Sequence, residues 1–138
     1  MRFSPLLEQL IDALRCLPGV GPKTAQRMAM QLLTRGRDNG QRLAKTLVEA
    51  MEKIRHCSLC RIFSENAICD ICSSHNRDAS TLCIVENAID VSVLEQTSSY
   101  RGKYFVLLGR LSPLDGIGPE EIGIGQLKAR FEQGDIQE

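Results

Sequence analysis

Four cysteines carry the clearest chemistry in this sequence. Cys57-Ser58-Leu59-Cys60 and Cys69-Asp70-Ile71-Cys72 form two Cys-x-x-Cys pairs with eight residues between them. Each pair can chelate one ion from a tight turn, and the short connection brings the pairs together. Four thiolates around one tetrahedral Zn²⁺ make a closed, structural site with no position left for a catalytic water. Residues 57–78 hold few apolar side chains, so metal binding would supply much of the local folding energy, on the order of 10 kcal/mol. The other uses of such cysteines are disulfides or a redox dithiol. A reducing compartment argues against the first, and two pairs at this spacing argue against the second. His56 and His75 are read as surface residues, and Cys16 and Cys83 as core residues.

A second motif, Leu17-Pro18-Gly19-Val20-Gly21-Pro22-Lys23-Thr24-Ala25, has the chemistry of a phosphate cradle. Two glycines permit a tight turn and close approach of an anion. Pro22 suits the first position of a helix, whose opening amides lack internal partners and favour negative charge. Lys23 and Arg27, four apart, share one face of that helix. Gly19, Gly21, Lys23 and Arg27 are therefore the candidate DNA contacts, gripping phosphates without reading bases. A plain interhelical turn is the simpler use of the same glycines. The charge distribution favours DNA. Residues 1–56 carry ten Lys and Arg against five acids, a net +5, whereas residues 57–138 carry seven against twelve, a net −5. A basic half beside an acidic half suits nucleic acid at one end and a protein partner at the other.

The elements that must position these residues follow from periodicity. Ser4-Pro5 starts a first helix with Leu6, Leu7, Leu10, Ile11 and Leu14 at helical spacing, ending near Cys16 before Pro18-Gly19. A second helix is expected over 22–34, with Ala25, Met28, Ala29 and Leu32 on one stripe. Gly36, Asp38, Asn39 and Gly40 read as a loop, and a third helix over 41–55 is expected to bury Leu43, Leu47, Met51 and Ile54. Leu82–Val85 and Tyr104–Leu108 read as buried strands, with a helix over Ala88–Gln96 between them. A Gly/Pro-punctuated loop over 111–119 and a closing helix over 119–131 complete a β-α-β-α order, which implies a parallel sheet. The hydrophobic fraction of 43% is that of a globular chain, and no apolar run approaches the roughly 18 residues of a membrane span. Met1-Arg2-Phe3-Ser4-Pro5 lacks the apolar core of a signal peptide. The expected location is the cytoplasm, at the nucleoid.

The stretch from Cys57 to Arg77 resembles the signature of the RecR family, with Cys57, Cys60, Ser64, Cys69, Ile71, Cys72 and Arg77 at that family's spacing. The Leu-Pro-Gly-Val-Gly-Pro-Lys hairpin and the Leu-Ser-Pro-Leu-Asp-Gly-Ile-Gly-Pro loop are similar to it too, in the family's order. The resemblance implies an α+β chain in three parts: a helix-hairpin-helix DNA-binding bundle over 1–56, a four-cysteine zinc finger over 57–78 and a partial α/β Toprim domain over 79–138. It implies zinc on Cys57, Cys60, Cys69 and Cys72, and DNA at Gly19, Gly21, Lys23 and Arg27. It also implies dimers or ring-like tetramers, and work with RecO and RecF to help RecA load on gapped or single-stranded DNA.

Toprim enzymes place a carboxylate where Glu86 stands, but they also need an Asp-x-Asp pair for Mg²⁺, and this sequence has none. The expectation is a recombination mediator that is not an enzyme. The rivals are a fragment of a Mg²⁺-dependent Toprim enzyme and a zinc-stabilised protein-interaction module. At 138 residues the chain is shorter than the family, so the sheet is expected to stop at the approach to a third strand near Asp135–Glu138. Order beyond about residue 80 is then expected to depend on another chain covering a bare sheet edge.

Overall fold

The computed structural model describes residues 3–109, 113–134 and 136–138. The chain forms two compact units, Met1–Glu52 and Lys53–Glu138.

The first unit is helical. α1 (Pro5–Leu14) begins where the Ser4 hydroxyl accepts the Leu7 amide at 3.3 Å, and proline occupies its first turn. α2 (Pro22–Arg35) packs on α1. Ala25 and Ala29 on α2 have no exposed surface. Such small side chains, one turn apart, let two helix backbones come close. Cys16, expected in the core, is exposed just beyond α1.

α3 departs from expectation twice. It spans Arg37–Lys53, so Asp38, Asn39 and Gly40 lie inside the helix rather than in a loop. Gly36 alone ends α2, and its carbonyl already accepts the Gly40 amide at 2.7 Å. Asp38 in the first turn and Lys53 in the last complement the helix dipole. The second departure is burial: Leu43, Leu47 and Met51 are 48%, 50% and 74% exposed, and Ile54 beyond the helix is exposed as well. The helical period is real, but among the described residues the stripe is not buried.

The second unit joins a small antiparallel hairpin to a parallel pair of strands. β1 (Arg55–His56) and β2 (Phe63–Ser64) flank the first cysteine turn, and α4 (Asp70–Ser73) carries the second pair. β3 (Asp78–Val85), α5 (Ala88–Gln96) and β4 (Gly102–Val106) form the expected β-α-β crossover, with Cys83 opposite Tyr104 and Val85 opposite Val106 in parallel register. β4 stops short of the expected Leu108, which is exposed with a left-handed φ, and β3 is only partly buried, with Ile84 exposed. α5 starts with a capping box in which Asn87 and Asp90 each accept the other's amide. Cys83 is half-buried in β3.

The closing helix is broken into α6 (Pro119–Ile122) and α7 (Ile124–Gln133). Gly123 between them takes a left-handed φ of 88°, and a Cβ there would meet the Arg61 guanidinium. Glycine is the residue that fits both conditions. The loop expected over 111–119 begins at Leu111 and Ser112, which lie outside the described residues, as does Asp135; a 3-10 turn covers Pro113–Asp115. The last residues do approach β3: the Gln137 amide donates to the Ser80 carbonyl and the Leu82 amide to Glu138, both at 2.7 Å. Among the described residues, no helix is long and apolar enough to cross a membrane.

Candidate zinc centre and nucleic-acid interface

The first cysteine pair sits in the turn between β1 and β2. That turn is closed by the Cys57 amide on the Ile62 carbonyl at 2.7 Å and the Arg61 amide on the Cys57 carbonyl at 2.9 Å. Arg61 has a φ of 72°, which turns the chain out of the knuckle. The second pair opens α4, where Cys69 is the N-cap and its sulfur accepts the Cys72 amide at 3.4 Å. The Cys69 amide in turn donates to the Cys57 sulfur at 3.3 Å.

The four buried sulfurs lie within 4.8 Å of one another. A tetrahedron of Zn–S bonds of about 2.3 Å has edges of roughly 3.8 Å, so the donor set fits one structural zinc. When bound, zinc holds all four sulfurs as thiolates. The surroundings act unevenly on that charge, favouring the thiolate at Cys57 and Cys72 and disfavouring it at Cys60 and, through burial, at Cys69. Burial pushes the Cys57 thiol up, but amides of Cys60, Cys69 and Leu59 outweigh it and leave the group below its usual range. The hydrogen bond with Cys60 draws Cys72 down to about 5, while the same contact pushes Cys60 well up. Arg130 adds its positive charge in favour of the Cys72 thiolate. His56 and His75 are exposed and outside the cluster; the His56 ring stacks on Phe63 with centroids 4.8 Å apart.

The zinc site is not an appendage. Its cysteines share one hydrophobic cluster with Val91, Tyr104 and Val106 from α5 and β4. Arg61 lies 5.6 Å from the centre of the Phe105 ring and donates to the Ile122 carbonyl at 2.6 Å. Arg77 donates to both carboxylate oxygens of Glu95 and to the carbonyls of Tyr100 and Gly102. Tyr104 completes that network by donating to Glu95 at 2.6 Å. Sequence reasoning saw Arg77 only as part of a signature and missed Glu95, Tyr104 and Arg130.

The other candidate site lies in the helical unit. Gly19 takes a left-handed φ of 78°, and the space where its Cβ would stand is open, as it is at Gly21. Gly21 is the N-cap of α2, and no side chain caps the helix there. The first-turn amides thus face an unfilled position where an anion is favoured. Lys23 and Arg27 are exposed and line one shallow groove of about 570 Å³ along α2. Gln26, Gln31, Thr34 and Arg35 line it too. These four went unread, although the step of four from Lys23 through Arg27 to Gln31 and Arg35 continues the same face.

Comparison with known families matches three models in order. The RecR helix-hairpin-helix matches residues 7–51, the RecR four-cysteine zinc-finger domain residues 54–74 and the Toprim domain residues 80–135.

Proposed function

Since the chain belongs to the RecR family, whose domains serve recombinational repair and DNA binding, we propose that it is a recombination mediator that holds DNA by its phosphates. The observation that carries this reading is the face of α2, where Lys23, Arg27 and Arg35 follow an uncapped helix start. Backbone contacts of this kind position a protein on DNA without choosing a sequence. In the same reading it works with RecO and RecF to load RecA at gapped or single-stranded DNA, and it does so without catalysis.

Fluorescence anisotropy of labelled gapped DNA across a salt series tests the site. The Lys23→Glu/Arg27→Glu double variant, with helical content confirmed, is expected to bind at least about tenfold more weakly and to lower the salt slope by about two. Equal binding by both proteins would move the contact away from α2.

Self-association belongs to the same reading and draws on α3. Its Leu43, Leu47 and Met51 form an exposed apolar stripe, and such stripes mark contact surfaces more often than solvent faces. Leu47→Glu is expected to weaken association at least about tenfold in sedimentation equilibrium while leaving helical content intact. Unchanged association would place the contact between copies elsewhere.

A further inference from the structure

The two backbone sides of β4 have different partners. On one side the Leu107 amide, just past the strand, donates to the Val85 carbonyl of β3 at 2.8 Å. The neighbouring amide points away from β3: Val106 donates to the carbonyl of Cys60 at 2.8 Å. Two residues earlier on that outer edge, the Tyr104 carbonyl accepts Arg130 Nη1 at 2.7 Å. The same nitrogen donates to the Leu59 carbonyl at 2.8 Å. Lys103 Nζ adds a bond to the Cys72 carbonyl at 2.9 Å. The turn between the first two zinc-site cysteines therefore stands where a further strand would pair.

We propose that the zinc knuckle is a metal-dependent cap on the outer edge of β4, with Arg130 as the residue that positions it. The Cys60 carbonyl meets the strand at Val106 and the Leu59 carbonyl meets Arg130; an ion shared by Cys57, Cys60 and the pair on α4 would lock the turn in that position. Without the ion, the two cysteine pairs are joined to each other only by hydrogen bonds of their sulfurs, and the turn by its own backbone bonds, all far weaker than Zn–S bonds. The turn then swings free, and Arg130 loses one of the two carbonyls it bridges. The bared edge would be Tyr104-Phe105-Val106, whose side chains are buried and apolar. An apolar strand with unpaired amides is a template for pairing with another chain. Zinc loss by chelation thereby uncovers the sheet edge.

Residue-resolved amide hydrogen exchange on the full, zinc-loaded chain tests this, repeated after chelation in reducing buffer. Val106 is expected to lose at least about 100-fold in protection when zinc is removed, while Leu107 changes less than about threefold. Loss at both amides together would mean that zinc folds the whole sheet, which overturns the cap. Retained protection at Val106 would overturn it equally. Arg130→Met supplies a second arm with zinc still bound. Its zinc content by elemental analysis is expected to match the parent, while Val106 exchange rises at least about tenfold. Unchanged exchange would remove Arg130 from the role. Protein purified without zinc would overturn the proposal at its premise.

Discussion

Cys57→Ser is expected to release zinc and unfold the knuckle over residues 57–78 while the three N-terminal helices keep their signal. Three reasons make this the largest effect of any single change. First, the serine hydroxyl is not a soft, ionised ligand, and a four-thiolate site that loses one member loses its closed geometry. Second, zinc sites of this type bind with on the order of 10 kcal/mol, which appears directly as folding energy. Third, Cys57 is 1% exposed and is gripped through its sulfur by the Cys69 amide. The damage should reach the outer edge of β4, where the Val106 amide loses the Cys60 carbonyl, while the pairing of β4 with β3 through Leu107 and Val85 persists. It should spare the helical unit, which folds around α1 and α2. Elemental analysis of the reduced protein and circular dichroism check both halves. A zinc content unchanged by the substitution would sink the four-cysteine assignment.

What could be read in the sequence divides by range. The zinc ligands were legible because chelation needs only local turns, and the spacing of Cys57, Cys60, Cys69 and Cys72 encodes those turns. α1, α2, α5 and the parallel strand pair were legible for the same reason: caps, breakers and periodicity are local. Periodicity also found the apolar stripe of α3, but it says which face is apolar and not what covers it. Among the described residues nothing buries it, so the expected burial of Leu43, Leu47 and Met51 failed. Asp38-Asn39-Gly40 has turn composition, yet helix continuing from Arg37 overrode that propensity. The break at Gly123 escaped notice because it reflects the approach of Arg61, a residue distant in sequence. The Arg77 network was hidden likewise, since Glu95 and Tyr104 reach it only after the sheet and α5 have packed.

Arg77→Ala is the second large effect. The guanidinium is mostly buried, with 17% of its side chain exposed against 29% for Glu95. It satisfies both carboxylate oxygens and two backbone carbonyls at the join between the zinc finger and β4. Truncation leaves a half-buried carboxylate with Tyr104 as its remaining hydrogen-bond donor, and it leaves the Tyr100 and Gly102 carbonyls without that partner. Removing one member of a buried pair costs about 3–5 kcal/mol, and partial exposure here puts the expectation nearer 2–3 kcal/mol. In a unit of this size that is a fall in melting midpoint of about 10 °C or more, measured with zinc in excess. Arg77→Lys should recover less than half of the loss, because one ammonium cannot serve both carboxylate oxygens in parallel. pH separates charge from packing. Arg77 holds the Glu95 carboxyl below its ordinary value of 4.5. The pair therefore contributes fully above that value, and its contribution disappears as pH falls through the lowered folded pKa. The stability gap between parent and Arg77→Ala should be constant at neutral pH and narrow only in acid below about 4.5. A gap that stays constant into acid would mean that Arg77 acts through its packing and its carbonyl contacts, with little contribution from Glu95.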